Sequence, residues 1–252
     1  MKLRLFCILL LLGAASLHAE LTKVLVPIAL PQEVPGAFGS LWATRLRVRN
    51  NGTQPITVAP NPGATCGSTV CPSFQVAGQT TVSPLVAIAY PYPGAFLYVT
   101  PGANASFNTR IQDLSRQSLT WGTEIPVVRE ADVFTDTLTL INIPTDDRFR
   151  SALRIYDFDG ASKNSVRVRV FADDETTPVA DTELVLATPS GINDSNIPGF
   201  AQIGSIVDAY PALRSATTTR VEITPVAAGT RIWAFVSVTN NETQHVTTIT
   251  PQ

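Results

Sequence analysis

The residues best suited to acid–base chemistry in this chain are two aspartates in the segment Asp157-Phe-Asp159-Gly. Two carboxyl groups about 5–9.5 Å apart are sufficient for glycoside hydrolysis. Asp and Gly are also the residues that tight turns require, and this segment lies between two predicted strands. We therefore interpret it as a turn, with a glycosidase pair as the alternative. A calcium site at Asp157 and Asp159 stays open, although Val168 occupies the position where an EF-hand loop carries its acidic ligand.

Two of the three cysteines are close together in the segment Thr65-Cys-Gly-Ser-Thr-Val-Cys71. In an oxidising compartment such a pair most simply forms a local disulfide, so we predict a bridge between Cys66 and Cys71. Two free thiols are the alternative. A zinc site would need about four nitrogen or sulfur ligands, and His245 is the one histidine beyond the N-terminal segment.

Nucleophilic catalysis by serine needs a base within hydrogen-bond reach, which is normally histidine. His245 lies alone in a Thr-rich terminal segment, and the chain has no G-x-S-x-G elbow, H-E-x-x-H helix or Walker loop. We predict an ordinary surface position for His245. The sequence thus predicts no catalytic residue, no metal ligand and no cofactor, and we expect a protein that is not an enzyme.

The best candidates for ligand contact are aromatic residues in Tyr90-Pro-Tyr-Pro-Gly-Ala-Phe96. Prolines stiffen such a loop, which lowers the entropic cost of presenting rings to a sugar or a protein. Tyr90, Tyr92 and Phe96 are therefore predicted contact residues. The alternative is that these rings pack over a sandwich end or between domains.

The N-terminus has the pattern of a secretory signal peptide. Lys2 and Arg4 precede a short apolar run, and small residues follow up to Ala19. The run is too short for a membrane span of about 20 residues. We expect residues 1–19 to be removed and the mature chain to be secreted, periplasmic or on the cell surface, with no integral membrane segment.

Composition favours strands over helices. Thr, Val and Ile together number 70 of 252 residues, whereas Lys and Glu number 11. Charged residues make up 15% and the formal net charge is −2, which excludes the basic surface of a nucleic-acid binder.

Alternating polarity marks the strands. Between Trp42 and Arg49, Trp, Thr, Leu and Val alternate with Ala and three arginines, as in a strand with one buried face. The same alternation recurs at 149–156, with Arg150, Arg154 and Tyr156 outward, and at 166–170. We read the arginine rows as solvated faces, with contact to anionic polysaccharide as the alternative. Further strands are predicted at Leu25–Leu30, Ile56–Val58, Thr81–Ile88, Phe96–Thr100, Ser106–Gln112, Thr135–Ile143, Thr182–Ala187, Gln202–Val207, Arg220–Thr224, Arg231–Thr239 and His245–Thr250.

The chain also repeats itself. The segment 42–48 matches 149–155 at an offset of 107, and 107–126 matches 232–251 at an offset of 125. With turn signals every 8–12 residues, this pattern is typical of immunoglobulin-like sandwiches. The predicted fold is all-β, with two tandem immunoglobulin-like antiparallel β-sandwich domains at 20–128 and 129–252 after the signal peptide at 1–19. Trp42 and Trp121 are expected to fill cores, and 231–239, apolar on both faces, is expected to be a central or interfacial strand.

Four segments resemble a set of secreted tandem β-sandwich proteins found in acidobacteria and similar bacteria. They are 35–50 (Pro-Gly-Ala-Phe-Gly-Ser-Leu-Trp onward), Trp121-Gly-Thr-Glu-Ile-Pro126, 149–155 and 232–243. The chain departs from that pattern at Thr239 and at Gln244-His245. The resemblance implies fold and export, and no activity.

The resulting hypothesis is an exported, non-enzymatic surface, structural or binding module that contacts cell-surface polysaccharide or another exported protein. The alternatives are a carbohydrate-active enzyme that uses Asp and Glu alone, and an accessory subunit of an exported enzyme. For the enzyme, the residues to change are Asp157 and Asp159.

Overall fold

The computed structural model describes residues 20–30, 32–60, 65–66, 69–70, 73–83, 94–116, 118, 120–160, 163–188 and 197–252. Antiparallel strands dominate these residues, which confirms the all-β prediction. The first twelve strands are β1 (Thr22–Val26), β2 (Val34–Pro35), β3 (Leu41–Asn50), β4 (Ile56–Ala59), β5 (Thr65–Cys66), β6 (Thr69–Val70), β7 (Phe74–Val76), β8 (Thr81–Val82), β9 (Ala95–Thr100), β10 (Ala105–Asp113), β11 (Thr123–Ile125) and β12 (Val128–Arg129).

The described part of the second half contains the other strands and one short α-helix. They are β13 (Leu138–Pro144), β14 (Phe149–Asp157), β15 (Asn164–Ala172), β16 (Ala180–Leu186), β17 (Gly199–Ile203), α1 (Ile206–Ala209), β18 (Thr218–Pro225), β19 (Ile232–Asn240) and β20 (Val246–Ile249). Short 3-10 helices cover Ala37–Gly39, Leu114–Arg116, Glu130–Asp132 and Pro211–Ser215.

Among the described residues, each half of the chain forms two main sheets, and the strand order is the same in both halves. In the first half, β1-β9-β4-β7 lie in one sheet and β11-β10-β3 in the other, where β8 pairs with the far edge of β3. In the second half, β13-β18-β15-β16 and β20-β19-β14-β17 repeat that order strand for strand. The first half adds β12 beside β1, β2 beside β3, and the separate β5-β6 pair. The two halves are therefore built on one topology.

The strand register refines the repeat seen in the sequence. Val48 in β3 lies opposite Phe107 in β10, and Ile155, at an offset of 107 from Val48, lies opposite Ala234 in β19. The structure therefore aligns Phe107 with Ala234 rather than with Ile232. A shift of two residues keeps each side chain on the same face of its strand, so the alternation of polarity could not distinguish the two alignments.

Two hydrophobic cores fill the space between the paired sheets. In the first half, Leu46 and Val48 of β3 are buried while Arg47 and Arg49 are exposed, as the alternation predicts. In the second half, the valines of β15 are buried in the same way, together with Leu153 of β14. Burial of one face of each strand is the source of this period of two.

Three local predictions were wrong. Trp121 does not fill a core: its side chain is 67% exposed, and the guanidinium carbon of Arg45 lies 5.4 Å from its ring centroid. Tyr156 was predicted outward but is fully buried, because the first half of the chain covers that face of β14. The predicted strand Gln202–Val207 ends at Ile203, and Ile206 begins α1 with Ser205 as its N-cap.

Candidate functional site

Strand β19 connects the core of the second half to the contact between the two halves. Every residue from Ile232 to Thr239 is buried, and the strand lies between β14 and β20 in its sheet. Ile232, Ala234 and Val236 enter the core of the second half, whereas Trp233 and Phe235 face residues of the first half. This confirms the prediction of a central or interfacial strand, since apolar residues on both faces require two buried environments.

An aromatic cluster closes the contact between the halves. The Phe235 and Tyr156 rings are stacked with centroids 6.5 Å apart, and Trp233 lies 5.4 Å from Phe235. The Tyr156 hydroxyl donates a hydrogen bond to the Pro27 carbonyl in the first half. Complete burial raises the pKa of Tyr156, which keeps its hydroxyl neutral as a donor.

A cleft of about 310 Å³ lies beside this cluster, between the halves. Its first wall is apolar and comes from the first half, and its second wall is the outward face of the β14 sheet. The lining residues are Ile28, Leu30, Val34, Trp42, Ile111 and Ile125 on the first wall, and Arg150, Ala152, Arg154, Gln202, Gly204, Ser237, Thr239 and Val246 on the second.

Two arginines supply the charge of the cleft. Arg154 is half-buried, donates to Ser237 Oγ at 2.7 Å, and places its guanidinium carbon 5.7 Å from the Phe235 ring centroid. Arg150, four residues earlier on the same face of β14, donates to Asn241 Oδ1 at 3.1 Å. Burial lowers the pKa of Arg154. Within the described ranges, no carboxylate forms an ion pair with either arginine.

A second, polar depression of about 410 Å³ lies near Asp146 and Arg214. Two of its three charged lining residues are already paired, because Asp146 pairs with Arg148 at 2.9 Å and Arg214 pairs with Asp208 at 3.2 Å. The cleft between the halves is therefore the stronger candidate site, since it combines apolar walls with unneutralised cations.

Lys23 in β1 forms a further contact between the halves. Its Nζ donates to the Phe158 carbonyl at 2.6 Å and lies 3.7 Å from the Phe96 ring centroid. Burial, assisted by the nearby Arg231, lowers the Lys23 pKa to about 8, against the opposing charges of Asp159, Asp157 and Glu130. Arg231 itself pairs with Asp159 at 2.6 Å and with Glu130 at 3.0 Å.

The lowered pKa of Lys23 predicts a defined pH dependence of stability. Between pH 8 and about 10.4, the unfolded chain holds a proton on this lysine that the folded chain has released. The folded state therefore gains stability as pH rises through this window, by about 1 kcal/mol after allowance for solvent screening of a half-buried group. The Lys23→Met variant should lack this gain. In urea unfolding at pH 7.5, 8.5 and 9.5, the free energy of unfolding of the wild type should therefore rise with pH relative to that of the variant. A stability difference that stays constant over these three values would contradict the prediction.

The two aspartates of the predicted turn have structural partners. Asp157 is fully buried at the end of β14, where it accepts hydrogen bonds from the Asp159 backbone N–H and from Asn164 Nδ2, both at 2.8 Å. Asp159 lies at the surface and pairs with Arg231. Over the described residues, no group of three or more His, Cys, Asp and Glu side chains is arranged to hold a metal ion.

The other predicted residues fall in several places. Phe96 is only 1% exposed and its ring centroid lies 5.6 Å from that of Phe158, so this ring packs in the contact between the halves. Tyr90, Tyr92 and Cys71 lie outside the described residues, and only the backbone of Cys66 is described. His245 is exposed, as predicted.

Sequence reasoning missed the cleft. Arg150 and Arg154 were recognised as outward residues of β14, but alternation does not show whether an outward face meets solvent or another part of the chain. The available signal was the apolar outward pair Trp233 and Phe235, together with Tyr156 beside Arg154. These aromatics indicate that the same face is covered.

In the part of the chain that the structure describes, no helix is both long and apolar enough to span a membrane. Comparisons of the chain with protein-family models, with curated proteins and with solved structures found no match.

Proposed function

We propose that this chain is an exported, non-enzymatic module of two tandem immunoglobulin-like β-sandwiches that binds a ligand or partner outside the cytoplasm. The observation that carries the proposal is the burial of Asp157, whose side chain is 0% exposed and bonded to Asn164 and the Asp159 backbone. A glycosidase carboxylate must contact the glycosidic bond. Because the Asp157 carboxylate is buried and hydrogen-bonded within a turn, it does not reach a substrate, which supports a binding role over hydrolysis.

Two further aspartates also accept hydrogen bonds from the protein backbone. Asp146 accepts hydrogen bonds from the backbone and side chain of Arg148, and Asp173 accepts from the backbone N–H groups of Thr217 and Thr218. The acidic segments Asp146-Asp147 and Asp173-Asp174-Glu175 therefore each have a member that stabilises a turn or a strand end. These contacts favour a scaffold role for the acids.

The tandem immunoglobulin-like arrangement is supported by the strand order. Immunoglobulin sandwiches place their B strand between A and E, and their F strand between G and C. If β3, β4, β7, β8 and β9 are taken as B, C, C′, E and F, their pairings agree with that order. β10 occupies the position of strand A and β1 that of strand G, so the first and last strands are exchanged. The second half repeats this arrangement.

Export is supported by the first 19 residues, whose basic start, apolar run and small residues up to Ala19 form a signal-peptide pattern. The proposed location outside the cytoplasm also suits a Cys66–Cys71 bridge. The resemblance to secreted bacterial sandwich proteins points in the same direction. Intact mass of the exported protein should correspond to a chain that begins at Glu20.

The proposal predicts binding without turnover. The purified chain 20–252 should be retained by at least one cell-wall polymer or polysaccharide in a co-sedimentation panel, without releasing reducing ends from any of them. Asp157→Asn should leave retention unchanged wherever the variant is folded, and the exposed Asp174→Asn serves as the matched control. Reducing ends that the wild type releases and Asp157→Asn does not would establish the enzyme instead, and failure of every polymer to retain the chain would refute glycan contact.

A further inference from the structure

The cleft between the two halves combines features that together define a ligand class. One wall is hydrocarbon from Ile28, Leu30, Trp42 and Ile111, and the opposite wall carries Arg150 and Arg154. Its volume of about 310 Å³ lies at the small end of the range for ligand sites. An apolar wall facing two cations suits a molecule with a hydrocarbon body and an anionic end.

Arg154 carries a positive charge that no carboxylate among the described residues neutralises. A guanidinium that is withdrawn from water loses hydration, and proteins normally compensate this loss with a carboxylate. Arg154 has the Ser237 hydroxyl and the Phe235 ring, both neutral. Among the described residues no acid lines the cleft, so Arg150 and Arg154 supply all the formal charge of its described lining. A bound anion would supply the missing partner.

The space for such a group lies next to Arg154. Arg150, Ala152 and Arg154 lie on one face of β14, and the small side chain of Ala152 separates the two arginines. Across the sheet, Ala152 lies opposite Ser237 and Arg150 lies opposite Thr239, so hydroxyl donors are adjacent. Arg recognises a carboxylate with two parallel N–H···O bonds, which suits a planar head group.

We propose that this cleft binds a small amphipathic carboxylate, with its carboxyl group at Arg154 and its hydrocarbon body against Trp42 and Ile111. The inference deepens the proposed binding function and rests on it, because it names a ligand class for a module otherwise tested with polymers. The polymer experiment and the small-ligand experiment are independent, so either can fail while the other succeeds.

The test is titration of the chain 20–252 with octanoate by isothermal calorimetry. Saturable binding at one site is expected, with a change in intrinsic tryptophan fluorescence because Trp42 lines the cleft. Octanol has a hydrocarbon tail of similar length without the charge. It should bind at least about tenfold more weakly, because it cannot form the charge-assisted hydrogen bonds. Inorganic phosphate has charge without hydrocarbon and should also bind more weakly than octanoate.

Two variants place the ligand in the cleft. Arg154→Gln should weaken octanoate binding about tenfold or more, whereas Arg47→Gln, on the exposed face of β3, should leave it unchanged. Ala152→Leu fills the space between the arginines and should weaken octanoate binding by at least as much, which keeps the test decisive if Arg154→Gln does not fold. The proposal is overturned if octanoate does not bind, if folded Arg154→Gln and Ala152→Leu bind it as tightly as the wild type, or if octanol or phosphate binds equally well.

Discussion

Replacing Phe235 by alanine should destabilise the protein by about 3–5 kcal/mol, the range for large buried aromatics. The Phe235 side chain is fully buried where β19 meets the first half of the chain. It packs against Trp233 and Tyr156, and the guanidinium of Arg154 lies over its ring. Removing the ring therefore opens a cavity at a point that both halves share. Urea unfolding followed by tryptophan fluorescence measures the loss.

The matched control is Phe38→Ala, because Phe38 is 65% exposed. Its replacement should change the free energy of unfolding by less than about 0.5 kcal/mol. Equal effects at Phe38 and Phe235 would contradict the buried contact between the halves. A loss of less than about 1 kcal/mol in Phe235→Ala would also contradict the buried contact. A loss that small is expected only where solvent borders the ring, because water or neighbouring side chains can then fill the space at little cost.

Replacing Asp113 by alanine is the second large change, with an expected loss of about 3 kcal/mol. Asp113 is buried at the end of β10, where its carboxylate accepts hydrogen bonds from the Leu41 and Ser115 backbone N–H groups, each at 3.0 Å. It also accepts from Ser115 Oγ and Arg116 Nη1, both at 2.6 Å. Alanine would leave the Leu41 backbone N–H without this acceptor and would remove the side-chain bond that joins the end of β10 to the start of β3.

The lowered pKa of Asp113 predicts a loss of folding stability at acid pH. Burial alone would raise the pKa of Asp113, but the hydrogen bonds from Ser115, Leu41 and Arg116 outweigh it and hold the pKa below its usual value. Its contribution is therefore present above the unfolded pKa of about 3.9 and is lost as pH falls through the lower folded value.

Wild-type stability should fall over that range more steeply than the stability of Asp113→Ala. Asp181→Ala, which removes the exposed ion pair to Arg167, is the control and should have a much smaller effect. Parallel pH profiles of the wild type and Asp113→Ala below pH 5 would refute this role of Asp113.

Alternating polarity correctly predicted which side chains are buried wherever a strand has one face in a core and the other in water. In β3, the positions of Leu46, Val48, Arg47 and Arg49 follow from side chains that alternate across a pleated strand. In β19, apolar residues on both faces correctly indicated a strand buried on both sides. These predictions do not require knowledge of what packs against the strand, because the period of two is a property of the single strand.

Two large aromatic residues show that sequence pattern alone did not predict burial correctly. Hydrophobicity assigned Trp121 to a core, whereas the alternation along 149–156 placed Tyr156 on the outward face. The structure reverses both, since Trp121 lies under Arg45 at the surface and Tyr156 bonds to Pro27 beneath the first half. Whether an outward ring is covered depends on residues more than a hundred positions away.

By itself, the sequence determined the all-β class, most of the strands and the buried face of the most regular ones. Tertiary structure decided which outward faces are covered and which meet water, and it thereby converted the outward residues of β14 into one wall of a cleft with Arg154 at its centre. The physical reason is that strand pattern is set by short-range alternation. Burial of a whole sheet face, and with it the desolvation of a charge, arises only when a second part of the chain packs against it.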